Sequence, residues 1–222
     1  MLHTAEHKNF SALIEIHFLP SVYYLTLNWI FDSVIIEQWE NYNKGSFRNK
    51  CIIQSNHGQQ YLIVPLFKGK NTSQSIREVR ISYENDWLKP LKQRLQSEFG
   101  KYPYYAYYID DLLEIFHQKW DRLFDLNIHL LAYFHELIAL PSLQLTEGFQ
   151  KTLDPYTIDF RDRINSKYFQ ENPNLLNTIE IDYFTFVPGH SVTEALFSYG
   201  PEIPLLFRRY AEVLIDRHFH ND

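Results

Sequence analysis

Residues 37–49 gather two carboxylates (Glu37, Glu40), a phenol (Tyr42), a hydroxyl (Ser46), two cations (Lys44, Arg48) and the amide of Asn49. Such a set can do two kinds of chemistry. Arg48 can grip a phosphate or carboxylate with two parallel bonds, and Lys44 can add a point charge. Glu37 or Glu40 can take a proton from an acceptor group as a general base. Tyr42 can stack on a sugar or donate from its hydroxyl, while Ser46 and Asn49 supply further donors. The plainer alternative is that the two acids and two bases neutralise each other and fix a loop. No P-loop, GxSxG, GxGxxG or Cys/His cluster narrows the chemistry further.

The flanking segments say how this stretch is held. Val34-Ile35-Ile36 and Cys51-Ile52-Ile53 bracket it, and short β-branched runs of this kind read as buried strands. Upstream, residues 13–18 (LIEIHF) read as a first strand after a frayed leader over 1–11. Pro20 ends that strand, and Ser21 can cap a helix over 22–31. With a second strand over 34–38 this is a βαβ unit, whose strands run parallel with a right-handed crossover. Ligands in open α/β sheets bind at the carboxyl ends of the strands. Residues 17–21 and 37–40 both fall there.

Further along, 50–54 and 60–65 form a hairpin through Ser55-Asn56-His57-Gly58. A polar loop follows at 69–75, and 76–82 (IREVRIS) alternates like a strand with one wet face. Helices are expected from about 87 to 99, 103 to 120 and 121 to 140. Trp87, at the start of the first, is a further ring that could pack against a ligand, as is Tyr24. His135-Glu136 opens like a zinc-protease helix, but position 139 is Ala, so the second histidine is absent and no metal is implied. A short strand at 143–146 precedes a weakly periodic region over 147–180. Within it, Asp159-Phe160-Arg161-Asp162-Arg163 alternates acid and base. It reads first as a structural ion-pair network and second as an anion site in which Arg161 binds substrate. An extended piece at 183–187, a capping box of Ser191 with Glu194 for a helix over 192–199, and a terminal helix over 202–219 complete the chain. The fold class is α/β: an N-terminal mixed sheet with a βαβ start and hairpin, then a mainly helical C-terminal half, with 1–222 as a single domain.

Composition sets outer limits. A chain of 222 residues that is 45% hydrophobic can bury a real core. The net charge of -6 argues against a general nucleic-acid binder. The one cysteine, Cys51, lies in an apolar run and reads as a buried thiol. The N-terminus has neither the basic start nor the apolar run of a secretion signal, and no apolar stretch is long enough to span a bilayer. A soluble cytoplasmic protein is the expectation, with no membrane span, no nucleic acid and an unspecified cofactor. A surface rich in aromatics would permit a homodimer.

Several collinear stretches carry a family resemblance: FLPSVYY at 18–24, IEQWENYNKGSFRN at 36–49, LIVPL at 62–66, VRISYENDW at 79–87, YPYYAYYIDDL at 102–112, DFRDR at 159–163 and DYFTFVPGHSVTEALFSYGPE at 182–202. On them the chain resembles the WbqC-like protein family in its Bacteroidetes-type branch. The family's acid-rich stretch after the second strand appears as Glu37-Gln38-Trp39-Glu40. Its Lys and Arg-Asn fall on Lys44 and Arg48-Asn49, and its Gln-Pro start is replaced by His17-Phe18-Leu19-Pro20. The resemblance implies an association of some members with surface-polysaccharide (O-antigen) gene clusters. It implies a role in making or modifying an activated sugar or glycan, and the first reading is a transferase for an activated, phosphate-bearing sugar or glycan precursor. On that reading Glu37 and Glu40 are catalytic, and Tyr24, Tyr42, Lys44, Ser46, Arg48, Asn49, Trp87 and Arg161 hold a small anionic or sugar substrate. The alternative is a non-catalytic protein that binds a ligand or partner in the same groove.

Overall fold

The computed structural model describes residues 10–67 and 74–219. Most of the leader expected at 1–11 and of the loop expected at 69–75 lies outside the described residues. The chain opens with β1 (Ser11–Glu15), α1 (Val22–Ile30) and β2 (Ser33–Glu37), the anticipated βαβ unit with its strands parallel. Ala12, Leu13 and Ile14 are all buried, as a strand covered on both faces of a parallel sheet requires. Ser21 Oγ accepts from the Tyr24 amide at 3.2 Å and starts α1.

The two neighbours that flank this pair come from far along the chain. β5 (Gln144–Leu145) lies parallel to β2, and β6 (Thr157–Asp159) lies parallel to β1. The four-stranded order is therefore β5-β2-β1-β6. Both edge strands are very short, which limits the unpaired backbone they present. β6 falls inside the region that lacks periodicity, and three residues are too few to show any.

The antiparallel pairings stand in separate sheets. β3 (Lys50–Ser55) and β4 (Gly58–Ile63) form the expected hairpin, and Ile179–Ile181 (β7) pairs with Phe184–Phe186 (β8). The strand expected at 76–82 is absent. A 3-10 turn at Ile76–Glu78 stands there, followed by isolated bridges of Ile81 to Leu66 and Arg80 to Arg122. Ile76, Val79 and Ile81 are all buried, and the spacing of three then two suits a turn leading into an extended piece.

The helices are α2 (Leu88–Phe99), α3 (Tyr105–His117), α4 (Leu123–Leu137), α5 (Ser166–Glu171), α6 (Val192–Tyr199) and α7 (Ile203–Phe219). α7 closes over α1, where Trp29 stacks on Phe207 with centroids 4.9 Å apart. Ser191 caps α6, accepting from the Thr193 amide. Glu194 does not complete the expected box. Its Oε2 accepts instead from the Gln54 amide and lies 3.0 Å from His190 Nδ1, tying α6 to the hairpin. None of the helices among the described residues is long and apolar enough to cross a membrane.

Candidate functional site

Strand register creates an electrostatic problem. Glu15 is the Cα partner of Glu37, so two carboxylates end neighbouring parallel strands at the same level. Neither is reached by solvent. Buried carboxylates persist only with dedicated donors, and the structure supplies them from several segments.

Glu37 has four donors. Oε1 accepts from the Trp39 amide at 2.9 Å and Thr146 Oγ1 at 2.8 Å. Oε2 accepts from the Gln150 amide at 2.9 Å and Arg161 Nη1 at 3.2 Å. Glu15 lies 3.0 Å from His17 Nε2 through Oε1, and its Oε2 accepts from the Asp162 amide at 3.0 Å. Beside them, Arg48 Nε and Nη2 donate to the two oxygens of Glu40 at 2.7 and 2.6 Å. Arg48 Nη2 is also 3.0 Å from Asp162 Oδ1. Arg161 completes the group with a two-nitrogen clamp on Asp159 at 2.9 and 2.7 Å. That clamp holds the Asp159 carboxyl below its usual range, chiefly through the Arg161 bonds.

Burial has opposite effects on two members. It pushes the Glu40 carboxyl up to about 7, against the downward pull of Arg48. It lowers His17, against the upward pull of Glu15. The His17 shift has a measurable consequence. Above the unfolded value of 6.5 the ring is neutral in both states and its site is intact. As the pH falls below that, the unfolded chain takes a proton that the folded chain does not, and stability is lost until the folded ring also titrates. Urea midpoints taken from about pH 7 down to about pH 5 are therefore expected to fall less steeply for His17→Gln than for the wild type. Equal slopes would remove His17 from the account.

The sequence-derived candidates sort into three groups. The structure brings Glu37, Glu40, Arg48 and Arg161 together at the carboxyl end of the sheet. Tyr42, Ser46 and Asn49 build the loop. Tyr42 Oη donates to Asn49 Oδ1 at 2.9 Å, Asn49 Nδ2 donates to the Val64 carbonyl at 2.9 Å, and Ser46 Oγ donates to the Asn43 carbonyl at 2.6 Å. Tyr24 and Trp87, expected to face a ligand ring, lie in the core. Tyr24 is 1% exposed, its ring is 4.6 Å from that of His17, and its hydroxyl donates to the Glu15 carbonyl. Trp87 packs edge-on to Phe116 and beside Tyr83. Lys44 is exposed at the turn beside Gly45, whose φ is +80°.

Three members of the site were not legible as such: Glu15, Thr146 and Gln150. Glu15 left one trace, an acid within the apolar run LIEIHF of a strand buried on both faces. The others reach the site only through tertiary contact. Two rings also stand half exposed at its rim. The Arg77 guanidinium lies 4.6 Å from the Trp39 ring, and that of Arg161 lies 5.1 Å from Phe149. Among the described residues no group of three or more His, Cys, Asp or Glu is placed to hold a metal ion.

A family model described as WbqC-like protein family covers residues 16–164, a span that runs from the end of β1 through Arg161 and Asp162. No curated protein and no solved structure matches the chain.

Proposed function

The chain belongs to the WbqC-like protein family, and from that premise we propose that it is a cytoplasmic transferase acting on an activated, phosphate-bearing sugar or glycan precursor in surface-polysaccharide metabolism. The observation that carries the proposal is the convergence of Glu15, His17, Glu37, Glu40, Arg48, Arg161 and Asp162 at the carboxyl end of one parallel sheet. That is where α/β sheets bind their ligands. Glu40 is the general base, since a value of about 7 suits proton transfer near neutrality. It takes the proton of an acceptor hydroxyl as that oxygen bonds to the sugar's anomeric carbon, and the phosphate-bearing group leaves with the electrons of the broken bond. Arg48, Arg161 and exposed Lys44 face the anionic part of the substrate. Trp39 and Phe149 offer ring faces to a sugar. The whole chain works as one domain in this reading.

One observation favours a second reading, a non-catalytic protein that binds its ligand in the same place. All four hydrogen bonds of Glu37 are made within the protein, so it acts as a fixed strut and not as a base. A thermal-shift screen with nucleotide sugars, followed by product analysis on every ligand that binds, tests both. Transfer of the sugar, lost in Glu40→Gln while the ligand still raises the melting temperature, is the expected result. Binding without product over the full acceptor set would leave the second reading. No shift with any nucleotide sugar would overturn the transferase reading.

A further inference from the structure

Arg48 is 0% exposed, yet its guanidinium is incompletely used. Nε and Nη2 are taken by Glu40, and Nη2 is shared with Asp162. Nη1 is buried and has no hydrogen-bond partner. A buried donor left unmet is costly, and charged donors more so. The two carboxylates at the guanidinium differ in exposure: Glu40 is buried, whereas the Asp162 side chain is 52% exposed. Of the two, Asp162 is the one that solvent reaches.

Asp162 is also held in an unusual way. Its φ is +57°, a left-handed conformation that side chains rarely adopt. Its amide is fixed by Glu15 Oε2, and its Oδ1 accepts from Asn43 Nδ2 at 3.0 Å and forms an ion pair with Arg48. A residue in a rare backbone conformation therefore holds a half-exposed carboxylate against a buried cation. Strain of this kind persists where the surroundings impose it, and it clusters at ligand sites and switches.

We propose that the Asp162 carboxylate is a resident stand-in for the anionic group of the ligand, and that a phosphate displaces it to bond both Nη2 and the unmet Nη1 of Arg48. The inference rests on the functional reading above and adds the atoms that receive the anion and the group that competes with it. Nearby Glu15 and Glu40 do not forbid an anion there, because the position already holds one. A phosphate has oxygens enough for both nitrogens, whereas Oδ1 of Asp162 reaches one. Asp162 thus sets the threshold affinity for the site.

The test is titration of the whole protein with inorganic phosphate, followed by calorimetry and by the Arg48 Nε–Hε signal in a nitrogen-15 spectrum. Asp162→Gly removes the competing carboxylate and suits the positive φ, so the variant is expected to fold. Its affinity for phosphate is expected to exceed that of the wild type by about tenfold or more. The Arg48 signal should move with the same dissociation constant. Asp162→Asn, neutral but still able to accept, should fall between. Equal affinity in the wild type and Asp162→Gly, phosphate binding that leaves the Arg48 signal unmoved, or no binding in either protein would each overturn the inference. The functional reading fails separately. If nucleotide sugars bind the wild type and Asp162→Gly equally well, that reading stands and the displacement falls. If phosphate behaves as expected while no nucleotide sugar binds, the anion site stands and the sugar substrate falls.

Discussion

Replacing Arg48 by methionine is expected to cost about 3–5 kcal/mol of stability, the cost of removing one partner from a buried ion pair. Arg48 is fully buried, and its two bonds to Glu40 are 2.6 and 2.7 Å long. Without it, Glu40 and the inner oxygen of Asp162 lose their only charged donor among the described contacts. The loss should depend on pH with a definite sign. Burial already lifts Glu40 to about 7, and removing the cation lifts it further. The folded variant then takes up a proton that the unfolded chain leaves in water. Its deficit is therefore largest above neutrality and shrinks as the pH falls toward about 5. Arg48→Met with Glu40→Gln should recover much of the loss, because no buried charge is stranded. A double-mutant cycle by urea unfolding measures this, with an expected coupling above about 2 kcal/mol. A single-variant loss under about 1 kcal/mol would mean that water reaches the guanidinium and the pair behaves as a surface one.

Glu37→Leu should have a comparable effect for a different reason. One carboxylate satisfies two backbone amides, a threonine hydroxyl and an arginine. Leucine satisfies none of them, and each buried donor left unpaired costs about 1–3 kcal/mol. A loss of at least about 3 kcal/mol follows, with Glu37→Gln intermediate because one oxygen remains. The local signature separates this from general destabilisation. Hydrogen exchange at the Trp39 and Gln150 amides should accelerate more than at Leu13 or Ile14 in the centre of β1. Uniform acceleration would show that Glu37 does not pin the segment from Thr146 to Gln150.

Much of the N-terminal half was readable because its signals are local. Pro20 and Ser21 punctuate the chain between two β-branched runs, and the βαβ unit follows with its carboxyl ends correctly placed. The polar stretch from Glu37 was likewise visible as a stretch. Its partners were not. Thr146, Gln150 and Arg161 lie 109, 113 and 124 residues from Glu37, and no local pattern encodes contacts at that distance. For the same reason the charges of residues 37–49 looked available for a guest, whereas Arg48 spends most of its donors inside the protein. Segment 76–82 misled in the opposite direction. Its buried apolar residues fall at 76, 79 and 81, a spacing that a 3-10 turn running into an extended piece provides without a ladder of backbone bonds.

The placement of β5 and β6 on either side of the β1–β2 pair has a consequence for how the protein is made. On the ribosome, the N-terminal pair emerges long before the segments that flank it, and three helices are synthesised in between. Glu15 and Glu37 reach daylight together, while Arg161 is still to be translated. Until it arrives, the nascent sheet has two open sides and two acids without their later company, so docking waits for about three-quarters of the polypeptide and proceeds slowly, as non-local pairing does.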